Sequence, residues 1–263
     1  PRGSLILTPL PDHTIRATVA VGYRPPTMFE TYAHTISTIT LPPPNTSPPP
    51  ISVLGSGKHE PEKMVSYDVE YQGWYLQHRL RIRASLFWNH ISDLITHHRS
   101  PNVQTEGVAD IYGGEAGMEF LAAKWLSGYW NGAYQETAQS LTEVSQRGGP
   151  RYKWNAGLRG QWERGFSGEI GYHFVGAATY PLASAFSEFA PFGLVPPNPR
   201  VGSYHLLNLR GAYRFWQQPA EAGYLREAEV AVSVFNALND THKEHPLGDL
   251  IGSRVMGWLT VRY

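Results

Sequence analysis

The sequence predicts an all-β chain, an antiparallel transmembrane β-barrel of which about eleven strands lie within residues 1–263. Three observations carry that expectation. Apolar and polar residues alternate with period two in runs of about 9–12 residues, the length of a tilted membrane strand and longer than the 5–6 usual in a sandwich. The connections between runs are alternately short and long, as periplasmic turns and extracellular loops are in outer-membrane barrels. The last run ends on an aromatic residue: Val255, Gly257, Leu259, Val261 and Tyr263 form one face, and Arg254, Met256, Trp258, Thr260 and Arg262 the other. A buried sandwich strand alternates too. Lipid outside and water inside also account for the arginines on the second face and the aromatic at the end.

Composition agrees with this reading. Apolar residues are scattered and never approach the ~18 in succession that a membrane helix needs. Cysteine is absent, which excludes disulfides and thiolate metal sites and suits a protein that crosses an oxidising periplasm. Lys+Arg and Asp+Glu both number 22, so net charge gives no reason to expect a nucleic-acid partner. The 15 Tyr, 8 Trp and 10 Phe suit interfacial girdles. The start, Pro1-Arg-Gly-Ser4, has no Met and no signal segment, so a processed chain or a piece of a longer one is expected.

In chain order, each run gives one apolar and one polar register. Short turns are expected at Leu10–His13, Trp74–Gln77, Ala123–Trp125, Glu163–Gly165 and Trp216–Gly223, and long connections near Pro25–Glu60, Thr96–Val108, Ala138–Pro150, Ala177–Val201 and Ala237–Asp249. Ile15, Ala17, Val19 and Val21 oppose Arg16, Thr18 and Ala20; Val65, Tyr67, Val69 and Tyr71 oppose Ser66, Asp68, Glu70 and Gln72. Leu80, Ile82, Ala84, Leu86 and Trp88 then oppose Arg79, Arg81, Arg83 and Ser85. Three cations on one face cannot meet lipid, where an arginine at the midplane costs roughly 2–4 kcal/mol. The alternation continues with Met118 and Phe120 against Glu115 and Glu119, Trp154 and Leu158 against Lys153 and Arg159, and Ile170 and Tyr172 against Glu169 and His173. Leu207 and Leu209 oppose Asn208 and Arg210, and Val230, Val232 and Val234 oppose Glu229 and Ser233.

Several stretches resemble the TonB-dependent outer-membrane receptors, in that family's order. Gly22-Tyr-Arg-Pro-Pro-Thr-Met-Phe-Glu30 is similar to the strand ending in Arg-x-Pro with a Glu a few residues on, and Glu60-Pro-Glu62 with Ser66-Tyr-Asp-Val-Glu70 to the Pro-Glu…Ser-Tyr-Glu segment. Ser85–Ile95, Gly113–Gly117, Pro150–Lys153, Val234-Phe-Asn-Ala-Leu-Asn239 and Arg254–Tyr263 complete the series. The resemblance implies the C-terminal part of a 22-stranded barrel closed by a plug, residing in the outer membrane of a Gram-negative bacterium. It further implies import of a scarce nutrient, a ferric siderophore or related metal chelate, driven by the TonB complex through an N-terminal part not seen here. Membrane lipid and the barrel-assembly machinery are the other implied partners, with Tyr263 as the insertion signal.

Within that frame Asp68, Glu70, Arg79, Arg81, Arg83, Glu115 and Glu119 are the candidates for lumen charges that face a plug. They can equally be solvated or pair across neighbouring strands. His97 and His98 adjoin in one loop, and His242 and His245 flank Glu244 in another; surface histidines are the simpler reading, and no metal site or cofactor is assigned. The proline-rich stretch around Leu41–Pro50 is either a ligand-facing cover or a shield. No Gly-x-Ser-x-Gly elbow or phosphate loop occurs, so no catalytic residue is expected. Two rivals remain, a small outer-membrane barrel hydrolase and a passive porin or adhesin. The first needs a complete, even-stranded barrel with a converging Ser/His or Asp/His set at its rim, and the second would lack a plug upstream. If the first and last runs end on opposite sides of the membrane, they should not pair with each other.

Overall fold

The computed structural model describes residues 1–32, 34–37, 51–96, 104–105, 107–139, 149–180, 198–219 and 225–262. Its elements are β1 (Arg2–Leu10), β2 (His13–Arg24), α1 (Met28–Tyr32), β3 (His34–Ser37), β4 (Ile51–Leu54), β5 (Glu62–Tyr75), β6 (Leu80–Ser92), β7 (Ile95–Thr96), β8 (Gln104–Thr105), β9 (Ala109–Ala123), β10 (Leu126–Gln139), β11 (Tyr152–Gln161), β12 (Phe166–Val175), β13 (Ala178–Thr179), β14 (Arg200–Val201), β15 (Tyr204–Pro219), β16 (Leu225–Phe235) and β17 (Arg254–Arg262).

One antiparallel sheet takes up eleven strands in the order β1-β2-β5-β6-β9-β10-β11-β12-β15-β16-β17. Neighbours in sequence are neighbours in space, as in an up-and-down barrel. The pairs β3–β4, β7–β8 and β13–β14 are two-stranded ladders inside the long connections. β1 and β17 are the two edges and do not pair with each other, so the sheet is open as expected.

The pairing register joins the sequence registers into two continuous faces. Arg16 lies across from Glu70, Glu70 from Ser85, Ser85 from Glu115, Glu115 from Ala133 and Ala133 from Lys153. On the other face Leu86 lies across from Gly114 and Gly114 from Tyr134. The accessibilities invert those of a soluble domain. Thr18 and Ser233 on the polar face are 7% and 5% exposed, while Leu86 and Leu259 on the apolar face are 69% and 63% exposed. In a curved single sheet the concave side crowds its side chains and the convex side splays them, which assigns the polar register to the lumen. Among the described residues no large side chain is fully buried, because one layer of sheet has no core of its own.

Where glycine thins the sheet, aromatic rings lie over the gap. A Cβ at Gly157 would come 2.7 Å from the Tyr129 ring, one at Gly160 2.5 Å from Trp162, and one at Gly132 2.8 Å from Trp130. Cross-strand rings also stack near the turns, with Trp125 and Trp162 at 5.7 Å and Phe166 and Tyr213 at 4.4 Å.

Two turns differ from the sequence expectation. The β5–β6 turn falls at 76–79 rather than Trp74–Gln77, because Leu76, Gln77 and His78 all take positive φ (53°, 57° and 65°). None of them is a residue that announces a turn. The turn placed at Trp216–Gly223 does not begin at Trp216, since β15 runs on to Pro219. A bulge between Arg214 and Trp216 shifts the register there, and bulges break the alternation by which a strand is read. At the β11–β12 turn Gly165 has φ 84°, and a Cβ there would collide with the Arg214 carbonyl.

Candidate functional site

The polar face supplies most of the charged groups, and the register decides which of them meet. Near the short-turn end they neutralise one another. Glu119 accepts from Arg81 at 2.6 Å and from Arg83 at 3.3 Å, Arg16 pairs with Glu70 at 2.5 Å, and Arg159 with Glu169 at 3.2 Å. Across β15, β16 and β17 a ladder of alternating sign runs from Arg262 to Glu227 (2.5 Å), Arg214 (3.0 Å), Glu229 (4.0 Å) and Arg210 (2.9 Å). Arginine rests on lumen aromatics as well, Arg81 over Trp74 at 5.4 Å and Arg159 over Tyr129 at 4.8 Å. Such pairs are individually worth about 0–1 kcal/mol where water reaches them.

The seven lumen candidates therefore separate. Glu70, Arg81, Arg83 and Glu119 are already paired along the wall. Arg79 precedes β6, and its guanidinium donates to the carbonyls of Leu121 and Ala122 at 3.0 and 2.5 Å, closing the end of β9. Asp68 and Glu115 stand on the polar register without an ion pair among the described residues. Glu115 lines an open concavity of about 440 Å³ with Glu70, Arg83, Ser85, Asn131 and Lys153. In the sequence Lys153 is only a polar-register residue, because which charges are left over depends on a register that spacing does not give.

At the long-loop end the stretches that carried the family resemblance meet. Arg24, the last residue of β2, donates to Glu62 at 2.5 and 2.7 Å and to Glu30 at 3.0 and 3.1 Å. Glu62 also accepts the Ile95 amide at 2.9 Å, so one guanidinium ties β2, α1, β5 and β7 together. Pro25 and Pro26 precede α1, and Thr27 with Glu30 forms a reciprocal capping box. The Glu30 carboxylate accepts the Thr27 amide at 2.6 Å, and the Thr27 hydroxyl accepts the Glu30 amide at 3.2 Å. Burial alone would raise the Glu30 carboxyl, but the hydrogen bonds from Arg24 and Thr27 outweigh it and hold it down to about 2. On this clamp α1 presents Met28 and Tyr32, 81% and 76% exposed.

A second knot forms at Phe235-Asn-Ala-Leu-Asn239. Asn236 and Asn239 take left-handed φ of 52° and 51°, which asparagine tolerates better than most residues. Asn236, 4% exposed, donates to the Asp240 carbonyl at 3.1 Å and accepts the Asp240 amide at 3.1 Å. Asn208 accepts the Asn236 amide, Asp240 accepts the His205 amide and Asn239 accepts the Ser253 amide. The side chains of Asn208 and Asp240 thus fasten the loop after β16 to β15, and that of Asn239 fastens it to the residue before β17.

Of the histidines singled out, His97 and His98 lie outside the described residues, as do the prolines at 42–44 and 48–50 and the terminal Tyr263. His242 stacks on Tyr204 with centroids 4.0 Å apart, and His245 packs edge-on against Tyr180. Among the described residues no three His, Asp or Glu side chains converge as a metal cage.

The sequence matches the TonB dependent receptor-like, beta-barrel family over residues 1–237. The chain belongs to this family of TonB-dependent receptors. No curated protein matches it. Among solved structures it resembles the ferric yersiniabactin uptake receptor FyuA of Yersinia pestis (TM-score 0.62, 17% identity, covering 98% of this chain and 35% of that one). It also resembles the ferric enterobactin receptor of Pseudomonas aeruginosa (0.73, 14%, 97% and 38%) and the FrpB iron transporter of Neisseria meningitidis (0.67, 14%, 98% and 38%). The fold is thus that of a TonB-dependent barrel, and the chain spans little more than a third of these relatives. The family and these neighbours are transport receptors rather than enzymes. With no closed ladder between β1 and β17, the small-barrel hydrolase reading falls.

Proposed function

We propose that the chain forms the C-terminal part of the barrel of an outer-membrane receptor in a Gram-negative bacterium. The receptor binds a scarce nutrient, a ferric siderophore or related metal chelate, at its extracellular loops and imports it with energy from the TonB complex. The observation that carries this reading is a predominantly polar face carried across eleven strands and backed by an apolar one, in a chain of this receptor family. The names of the neighbours, two ferric-siderophore receptors and an iron transporter, point to the class of cargo.

In this reading Asp68, Glu115 and Lys153 are the wall charges left for a plug, and the Arg81–Glu119–Arg83 group is satisfied without one. The apolar face meets lipid, and Tyr263 addresses the barrel-assembly machinery. The test is uptake of radio-iron-labelled siderophores, and growth under iron limitation, in a strain deleted for the gene and complemented with the full-length receptor. Loss on deletion and restoration only in cells with a working TonB complex is the expected result. Uptake that is unchanged by deletion for every chelate tried, or that persists without TonB, refutes the proposal.

A further inference from the structure

The loop between β16 and β17 holds a histidine whose position the wall and the rim clamps leave unexplained. His242 is fixed from several sides. Its backbone exchanges hydrogen bonds with Ile251 at 3.2 and 2.8 Å, its ring lies flat on Tyr204 at an interplanar angle of 18°, and its side chain is 7% exposed. Nδ1 lies 2.7 Å from the Asp240 carbonyl oxygen. A carbonyl can only accept, so Nδ1 carries a hydrogen, and in the neutral imidazole, the form that ligates a metal, Nε2 holds the lone pair. That Nε2 is buried and has no hydrogen-bond partner, a state that calls for a cause. The atom facing it is Oε1 of Glu244, 4.0 Å away.

We propose that His242 Nε2 and the Glu244 carboxylate together hold a divalent transition-metal ion of the zinc, copper or nickel class, with the remaining positions filled by water or by donors of a chelate. A backbone carbonyl on the far ring nitrogen is the usual way a ligating imidazole is oriented, and imidazole with carboxylate suits these borderline ions. The spacing fits: bonds of about 2.1 Å to each ligand at a tetrahedral angle put N and O about 3.4 Å apart. Closing from 4.0 Å asks about 0.6 Å of a side chain that is 59% exposed. The segment is held for the task, since Tyr180 donates to the Glu244 carbonyl at 2.9 Å. His245 is placed otherwise, its Nδ1 accepting the Leu247 amide at 3.2 Å.

The assignment does not depend on which nutrient is imported, so the probe is the metal alone. Full-length receptor stripped with a chelator is titrated with Cu²⁺, followed by calorimetry and electron paramagnetic resonance. One equivalent should bind with a single coordinated imidazole and modulation from its remote, protonated nitrogen. Glu244→Gln, which leaves the His242 ring and its stacking partner in place, should weaken that equivalent by about tenfold or more. His242→Gln should abolish it, and a His97→Gln/His98→Gln double variant should retain it. Binding unchanged in Glu244→Gln, a spectrum requiring two or more imidazoles, or no copper bound by the intact receptor would overturn the assignment.

Discussion

Val230 sits at the middle of β16, on the apolar face between Tyr213 and Leu259 and 45% exposed. If that face meets hydrocarbon, Val230→Arg places a guanidinium near the midplane at a cost of about 2–4 kcal/mol, or roughly 30- to 700-fold in the folding equilibrium. The cost should shrink at Val232 and again at Val234, which stand nearer the long-loop end, because the penalty falls toward the interface. The control on the other face is Ala133, which lies between Glu115 and Lys153 on the open concavity. Ala133→Arg meets the like charge of Lys153 on one side but gives Glu115 an opposite charge on the other, and in an open concavity should be near neutral. Ser233 is a poorer control than its polar character suggests: at 5% exposure and directly across from Arg210, an arginine there meets both crowding and a like charge. Refolding of the full-length receptor into lipid vesicles, followed by denaturant titration, measures all five. Equal losses for Val230→Arg and Ala133→Arg, or no gradient along β16, would refute the facing assignment.

The rim clamp predicts an acid dependence: because the Glu30 carboxyl lies below its ordinary range in the folded state, at about 2, its stabilisation is fully present above pH ~4.5 and lost as pH falls toward 2. Protection of the amides at residues 27–32 from hydrogen exchange, relative to their intrinsic rates, should therefore hold to about pH 4 and fall below it. Arg24→Ala should lower that protection above about pH 4 and matter progressively less as pH falls toward 2, and protection indifferent to both changes would dismiss the clamp. Asn236→Ala removes two side-chain hydrogen bonds and puts a less tolerant residue at φ 52°, a loss of about 1–3 kcal/mol visible as a lower melting temperature, whereas Asn236→Asp should retain part of it. Deleting Tyr263 from the full-length receptor should lower its amount in outer-membrane fractions, and an unchanged amount would make the aromatic ending incidental.

Much of the fold is legible in the sequence because period two is a local property. The eleven runs, their faces and the open edges follow from parity, which is why Arg81 and Glu119 were both placed on the lumen side. Their pairing was not legible, since it needs the register that sets Arg81 across from Glu119. That same register determines that Asp68 and Glu115 are the charges left over. The β5–β6 turn escaped because Leu76, Gln77 and His78 take left-handed backbone that is ordinarily the province of glycine and asparagine. The Arg24–Glu30–Glu62 clamp is legible only as separate stretches similar to the family's: the capping box of Thr27 with Glu30 goes unread there, and Glu62 comes to Arg24 only through the pairing of β2 with β5.

The rings that lie over the wall glycines make this barrel sensitive to substitution where it is most bare. At Gly157 and Gly132 a single added methyl group would have to displace Tyr129 or Trp130, which cover those positions at 2.7 and 2.8 Å. Gly3, Gly22 and Gly211 have nothing within 4 Å of the same methyl. Glycine to alanine, the mildest change the genetic code allows at these sites, is therefore not one mutation but two kinds. It is silent where the backbone faces open space, and it pushes an aromatic ring aside where a neighbour has grown across the gap.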